Sequence, residues 1–133
     1  MQKTVKLGVL GVNRGRTMMQ YCQLDRRVKL TAVRDQNKEQ LQKTKNTLHD
    51  ESIAFYDRFE DLLSSYVDAV VLANYANEHA PFAVQCLTHG KHVLSEVLPA
   101  QNFAEAVALV DAAETSGKIY DYAENYCYLP ATR

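Results

Sequence analysis

The chain has 133 residues, 47% of them hydrophobic and 23% charged, and its formal net charge is −1 from 15 basic and 16 acidic side chains. That length suits one domain with a core of its own, and the composition excludes intrinsic disorder. Balanced charge leaves no basic stripe for nucleic acid, and three separated cysteines (Cys22, Cys86, Cys127) without a C-x-x-C pair argue against a disulfide framework or a metal site.

In chain order, the opening MQKTVKLGVLGV is far shorter than the roughly 20 apolar residues a membrane span needs, and it lacks a small-residue cleavage site. It reads as a strand, and the expected compartment is the cytoplasm. Apolar runs then recur at Lys6 to Val12, Val28 to Val33, Ile53 to Tyr56, Asp68 to Ala73, His92 to Ser95 and Ile119 to Ala123. Runs without polar alternation fit strands covered on both faces, as in a parallel sheet.

Between them lie helical stretches with their own start and stop signals. Asn37 with Gln40, Asp57 with Glu60 and Asn102 with Glu105 have capping-box spacing. After Asn102, the residues Phe103, Ala106, Val107, Val110 and Ala113 follow at spacings of three or four and give one apolar face. Gly90 and Gly117 stand where helix C-caps belong. About six strand–helix alternations predict an α/β three-layer Rossmann fold with a doubly wound, mainly parallel six-stranded sheet over residues 1–133. The chain stops at Arg133 just after the sixth strand, which reads as a cut.

The first strand runs into Gly11-Val12-Asn13-Arg14-Gly15-Arg16. A dinucleotide fingerprint needs glycine for the tight turn, a small residue where backbone meets pyrophosphate, and glycine for close helix packing. Gly11 fills the first role; Asn13 sits where a second glycine is usual, on the expectation that asparagine tolerates left-handed angles; Gly15 comes one residue early. Arg14 or Arg16 adds positive charge. Asp35, at the end of the second strand and 24 residues after Gly11, is the expected acceptor for a ribose hydroxyl, which favours NAD over NADP. Arg34 and Lys38 beside it weaken that preference and keep NADP open. His79 has three readings: nicotinamide-side contact, acid–base group, or structural histidine. Tyr120, Tyr122, Tyr126 and Tyr128 alternate near the C-terminus, one face expected against a helix.

The second half carries Gly90-Lys91-His92-Val93, then Glu96, then Glu124-Asn125, with His79 on the preceding helix. At these intervals the chain resembles the N-terminal domain of the glucose–fructose oxidoreductase, inositol dehydrogenase and MocA (Gfo/Idh/MocA) family. Two departures stand out. Asn74-Tyr75 replaces the family's Thr-Pro, and Val97, in Ser-Glu-Val-Leu-Pro, replaces its catalytic lysine. The resemblance implies a cofactor-contacting set of Gly11, Val12, Asn13, Arg14, Gly15, Arg34, Asp35, Asn74, Tyr75, His79, Glu96, Val97 and Asn125. It assigns no catalytic residue, because the lysine position is Val97, and it requires no metal.

It further implies the cofactor half of an NAD(P)-dependent oxidoreductase moving hydride between nicotinamide and a sugar, polyol or related hydroxyl compound. The family's C-terminal substrate domain is absent from this chain, which alone is expected to be inactive. Two alternatives stay open: a dinucleotide-binding module without redox turnover, and an enzyme using tightly held NAD transiently for epimerisation or glycoside cleavage. A homo-oligomer is expected, with no nucleic acid and no membrane as partner. The face that meets the missing domain is expected to be exposed and to favour self-association.

Overall fold

Six short strands, β1 (Val5–Leu10), β2 (Val28–Arg34), β3 (Ala54–Tyr56), β4 (Ala69–Leu72), β5 (His92–Ser95) and β6 (Tyr120–Tyr122), pair in the order β3-β2-β1-β4-β5-β6. Every pairing is parallel. The computed structural model describes residues 3–132. Met1, Gln2 and Arg133, which belong to the terminal stretches considered above, lie outside the described residues. Parallel neighbours need crossovers, supplied here by α1 (Arg16–Leu24), α2 (Lys38–Leu48), α3 (Phe59–Ser64), α4 (His79–Thr88) and α5 (Phe103–Ser116).

The sheet separates two cores. One gathers Leu10, Leu62, Leu72, Leu87 and Val93; the other gathers Leu7, Val9, Val33, Val71 and Met19. Alternate residues of one strand therefore enter different cores, as with Val9 and Leu10, which is why the strands read as unbroken apolar runs. The reversal of strand order beside β1 opens a crevice at the carboxyl ends of β1 and β4, where such folds bind ligands.

Local signals place several helix ends. Asn37 accepts from the Gln40 backbone N–H at 3.1 Å, and Asn102 accepts from Glu105 N–H at 2.9 Å. The Glu105 carboxylate reaches back to Gln101 N–H, one residue before the cap, at 2.8 Å. Gly117 closes α5 in the left-handed region with φ 63°, and Gly90 follows α4 with φ 74°. The Asp57–Glu60 expectation is not met: Arg58 is the N-cap of α3 and makes no side-chain cap bond. Asp57 instead pairs with Lys38 at 2.8 Å, and this cation holds the Asp57 carboxyl below the usual carboxylate range. Packing does not bury the whole apolar face of α5, of which Ala106 and Ala113 are half-buried. Leu109 and Ala112 are buried, whereas Phe103, Val107 and Val110 are exposed.

At the opposite end of the sheet from the crevice, Lys91 donates to the carbonyls of Ser65 at 2.7 Å and Val67 at 3.0 Å. Ser65 is the C-cap of α3, so the ammonium sits where that helix presents its negative end. Nearby, burial pushes the Cys86 thiol up to about 12, with Lys91 opposing, so this cysteine is inert. Lys91→Met is expected to cost about 2 kcal/mol, since charge-assisted bonds to two carbonyls are lost. Thermal melting by circular dichroism checks this, and a variant that melts with the parent protein refutes it.

Candidate functional site

Gly11 leaves β1 with φ 95°, and a Cβ built there would lie 2.4 Å from the carbonyl oxygen of Ala73 at the end of β4. The turn thus passes over β4 too closely for any side chain. Gly15 has an ordinary φ of −68°, but a Cβ there would lie 2.4 Å from Val9 Cγ1 and 2.5 Å from Gly11 O. Its role is close packing of helix on strand. Asn13 does not use the left-handed region; among the described non-glycine residues only His49 has positive φ. α1 starts without a side-chain cap and without an acidic residue in its first turn. Its first N–H groups and the positive end of its dipole are therefore available to an anion.

Asp35 ties this turn to the end of β2. One carboxylate oxygen accepts Val12 N–H at 2.9 Å, and the other accepts Asn37 N–H at 2.8 Å. Each oxygen keeps a further lone pair for a hydroxyl donor. Lys38 is drawn away by Asp57, so Arg34 is the cation beside Asp35 that lines the crevice, and its Nε is buried without a partner.

These groups border a cavity of about 460 Å³. It brings together Gly11, Asn13, Arg14, Arg34, Asp35, Asn74, Tyr75 and Val97 from the expected set. Val12 is buried in the core and contributes its N–H to Asp35. Glu96 borders β5, its own N–H bonded to Leu72 O at 2.9 Å, and Asn125 is exposed beyond β6; neither lines this cavity.

His79 lies 1% exposed, with Nδ1 3.0 Å from Leu98 O and Nε2 3.3 Å from Asn74 O. It joins the loop after β4 to the loop after β5 from behind the cavity, so of its three readings the structural one fits the geometry. Val97 lines the cavity and offers no proton.

Sequence reasoning missed Gln36, Asn37, Gln40, Ala73, Ala76 and Glu78 as lining residues. Asn37 and Gln40 carried a visible helix-start signal, which hid their second role. Glu78 carried none: it pairs with Asn74 Nδ2 at 3.0 Å through a loop conformation that spacing does not reveal.

A crevice at the switch point, with a glycine cradle, an uncapped helix N-terminus and a carboxylate at the end of β2, defines a dinucleotide-binding Rossmann domain. The group itself fits this donor set, because the cradle admits backbone-close phosphates and Asp35 has spare acceptor capacity. The chain belongs to the Gfo/Idh/MocA oxidoreductase family with its NAD-binding Rossmann fold, whose family model matches residues 5–124. It is 35% identical over 62% of its length to a scyllo-inositol 2-dehydrogenase (NADP(+)) of Bacillus subtilis, covering 25% of that protein. It is 39% identical over 48% of its length to an alpha-N-acetylgalactosaminidase of Bacteroides fragilis, covering 15% of it. In fold it is similar to the WlbA dehydrogenase from Bordetella pertussis solved with NADH and UDP-GlcNAcA, with a TM-score of 0.82, 23% identity, and coverage of 91% of this chain and 37% of that one. The chain thus spans a quarter or less of these two curated relatives and well under half of that structure.

Among the described residues no helix is long and apolar enough to cross a membrane, and no cluster of histidine, cysteine or carboxylate side chains is arranged to hold a metal.

Proposed function

We propose that this chain is the cofactor half of an NAD(P)-dependent oxidoreductase acting on a sugar, polyol or related hydroxyl compound. The observation that carries the reading is the joining of Gly11, Arg14 and Asp35 along one cavity. When the dinucleotide is bound, its nicotinamide would supply the hydride acceptor or donor. The chain's own residues bind and orient: the turn at Gly11–Gly15 and the start of α1 face phosphate, and Asp35 takes a ribose hydroxyl. NAD is favoured, because the Asp35 carboxylate repels a 2′-phosphate. Val97 cannot move a proton, so proton transfer at the substrate falls to a group other than the one at the family's lysine position.

The similarity to an alpha-N-acetylgalactosaminidase, together with Val97, favours a second reading, in which tightly held NAD is reduced and reoxidised within each turnover. Turnover of a candidate sugar by the full-length protein without net NADH supports the second reading; stoichiometric NADH supports the first. The substrate-side domain, homo-oligomeric assembly, a cytoplasmic location and the lack of nucleic-acid or membrane partners belong to the same proposal. Exposed Phe103, Val107 and Val110 along α5 supply an apolar surface for association.

The test is calorimetric titration of this chain with NADH and with NADPH, repeated with Asp35→Ala. NADH is expected to bind more tightly than NADPH, and the substitution is expected to weaken NADH about tenfold, the equivalent of roughly 1.4 kcal/mol in hydrogen bonds to a charged group. Failure of both nucleotides to bind removes the reading.

A further inference from the structure

Tyr75 is a large aromatic left 66% exposed just beyond the end of β4. Its ring borders the cavity, and its hydroxyl makes no hydrogen bond among the described residues. The backbone beneath it is held on both sides. Tyr75 O accepts Glu78 N–H at 2.9 Å, and Asn74 O faces His79 Nε2 at 3.3 Å. An exposed ring on a fixed backbone is pre-organised for a flat partner, because little conformational freedom remains to be lost on binding.

The opposite wall comes from the end of β2 and the start of α2, through Arg34, Gln36 and Gln40. β1 lies between β2 and β4, so the two walls are two strand spacings apart, about 10 Å between backbones. A planar ring in van der Waals contact on both faces needs about 7 Å between the groups that sandwich it. Arg34 suits the second face, since a guanidinium stacks on aromatic planes and its Nε is buried without an acceptor.

The cavity also tells which end of a dinucleotide lies here. It takes five residues from the β2–α2 junction, Arg34, Asp35, Gln36, Asn37 and Gln40, against Val97 alone from the segment after β5, and neither Glu96 nor Asn125, which lies beyond β6. The wall formed by Tyr75 therefore faces the group attached to the ribose at Asp35. We propose that Tyr75 is the stacking platform for the adenine ring, with Arg34 on the opposite face. The inference rests on the dinucleotide reading above and adds the residue that grips its purine, at a position where the family carries proline.

The experiment is calorimetry on the intact chain and on Tyr75→Ala and Tyr75→Phe, with three probes: NADH, ADP-ribose and reduced nicotinamide mononucleotide. Base–aromatic stacking predicts that Tyr75→Ala weakens NADH and ADP-ribose alike, by about tenfold. Tyr75→Phe stays within about twofold of the parent, because the ring and not the hydroxyl makes the contact, and the mononucleotide is unaffected by either change. Thermal melting is expected to be unaltered, as the side chain is exposed. Unchanged ADP-ribose affinity in Tyr75→Ala overturns the proposal, as does a loss confined to the mononucleotide. Absence of NADH and ADP-ribose binding by the parent chain overturns the dinucleotide reading, and this proposal with it.

Discussion

Gly11→Ala is expected to abolish measurable NADH binding and to lower stability by about 3 kcal/mol or more. Two costs combine. At φ 95° an alanine pays about 1–2 kcal/mol in backbone strain. Its Cβ would also lie 2.4 Å from Ala73 O, 2.6 Å from Ala73 C and 2.7 Å from Asn74 N. All three atoms are backbone, so no side chain can move aside; the turn or the end of β4 must shift. Either shift displaces the Val12 N–H that Asp35 accepts, and the phosphate cradle and the ribose acceptor are lost together.

Gly90→Ala is the control. Its φ of 74° imposes similar strain, but a Cβ there meets only Lys118 Cε at 3.8 Å. About 1 kcal/mol is expected, with NADH affinity intact. Melting temperature and calorimetry on the two variants separate strain from collision. Equal stabilities and equal affinities would mean that the close approach at Gly11 does not shape the site.

How much of this was legible in the sequence follows from the range of the interactions. β5 is His92–Ser95 as read, and Asn37 and Asn102 cap their helices as read, because a cap engages a residue three positions away. Which side of α5 is buried was not legible, for the opposite reason. Phe103-Ala-Glu-Ala-Val-Ala-Leu-Val is apolar nearly all round, so periodicity does not choose a side; packing buries Leu109 and Ala112. Asp57 likewise had a local partner in prospect, yet Lys38, distant in sequence, takes it.

The site divides along the same line. Gly11 and Asp35 were visible because the fingerprint lies in one βαβ unit, and both border the cavity. Glu78 and Gln36 were not, because their position depends on how the β4 and β2 loops curl over β1. Asn13 shows the limit of residue preference: an asparagine where glycine is usual suggested a left-handed turn, but Gly11 alone takes the positive φ, and the residues after it need none.

His79→Leu is expected to cost about 2–4 kcal/mol and to weaken NADH several-fold, although this residue does not line the cavity. Leucine fills much of the imidazole's space, so the loss isolates the hydrogen bonds. The carbonyls of Asn74 and Leu98, 3.3 Å and 3.0 Å from the ring nitrogens, would be left facing an apolar side chain. A neutral imidazole has one N–H, and the shorter contact makes Leu98 O its natural acceptor, while an imidazolium would serve both. The clamp joins the Asn74–Tyr75 wall to the segment holding Val97, so releasing it loosens two sides of the crevice at once. His79→Gln, which keeps a donor of similar reach, is expected to recover part of both losses. An acid–base group would behave differently, with affinity and melting temperature intact and only turnover by the full-length protein affected. Unchanged melting and unchanged NADH affinity in His79→Leu would therefore refute the clamp, whereas a joint loss partly restored by glutamine is the signature of a side chain that positions the site from behind.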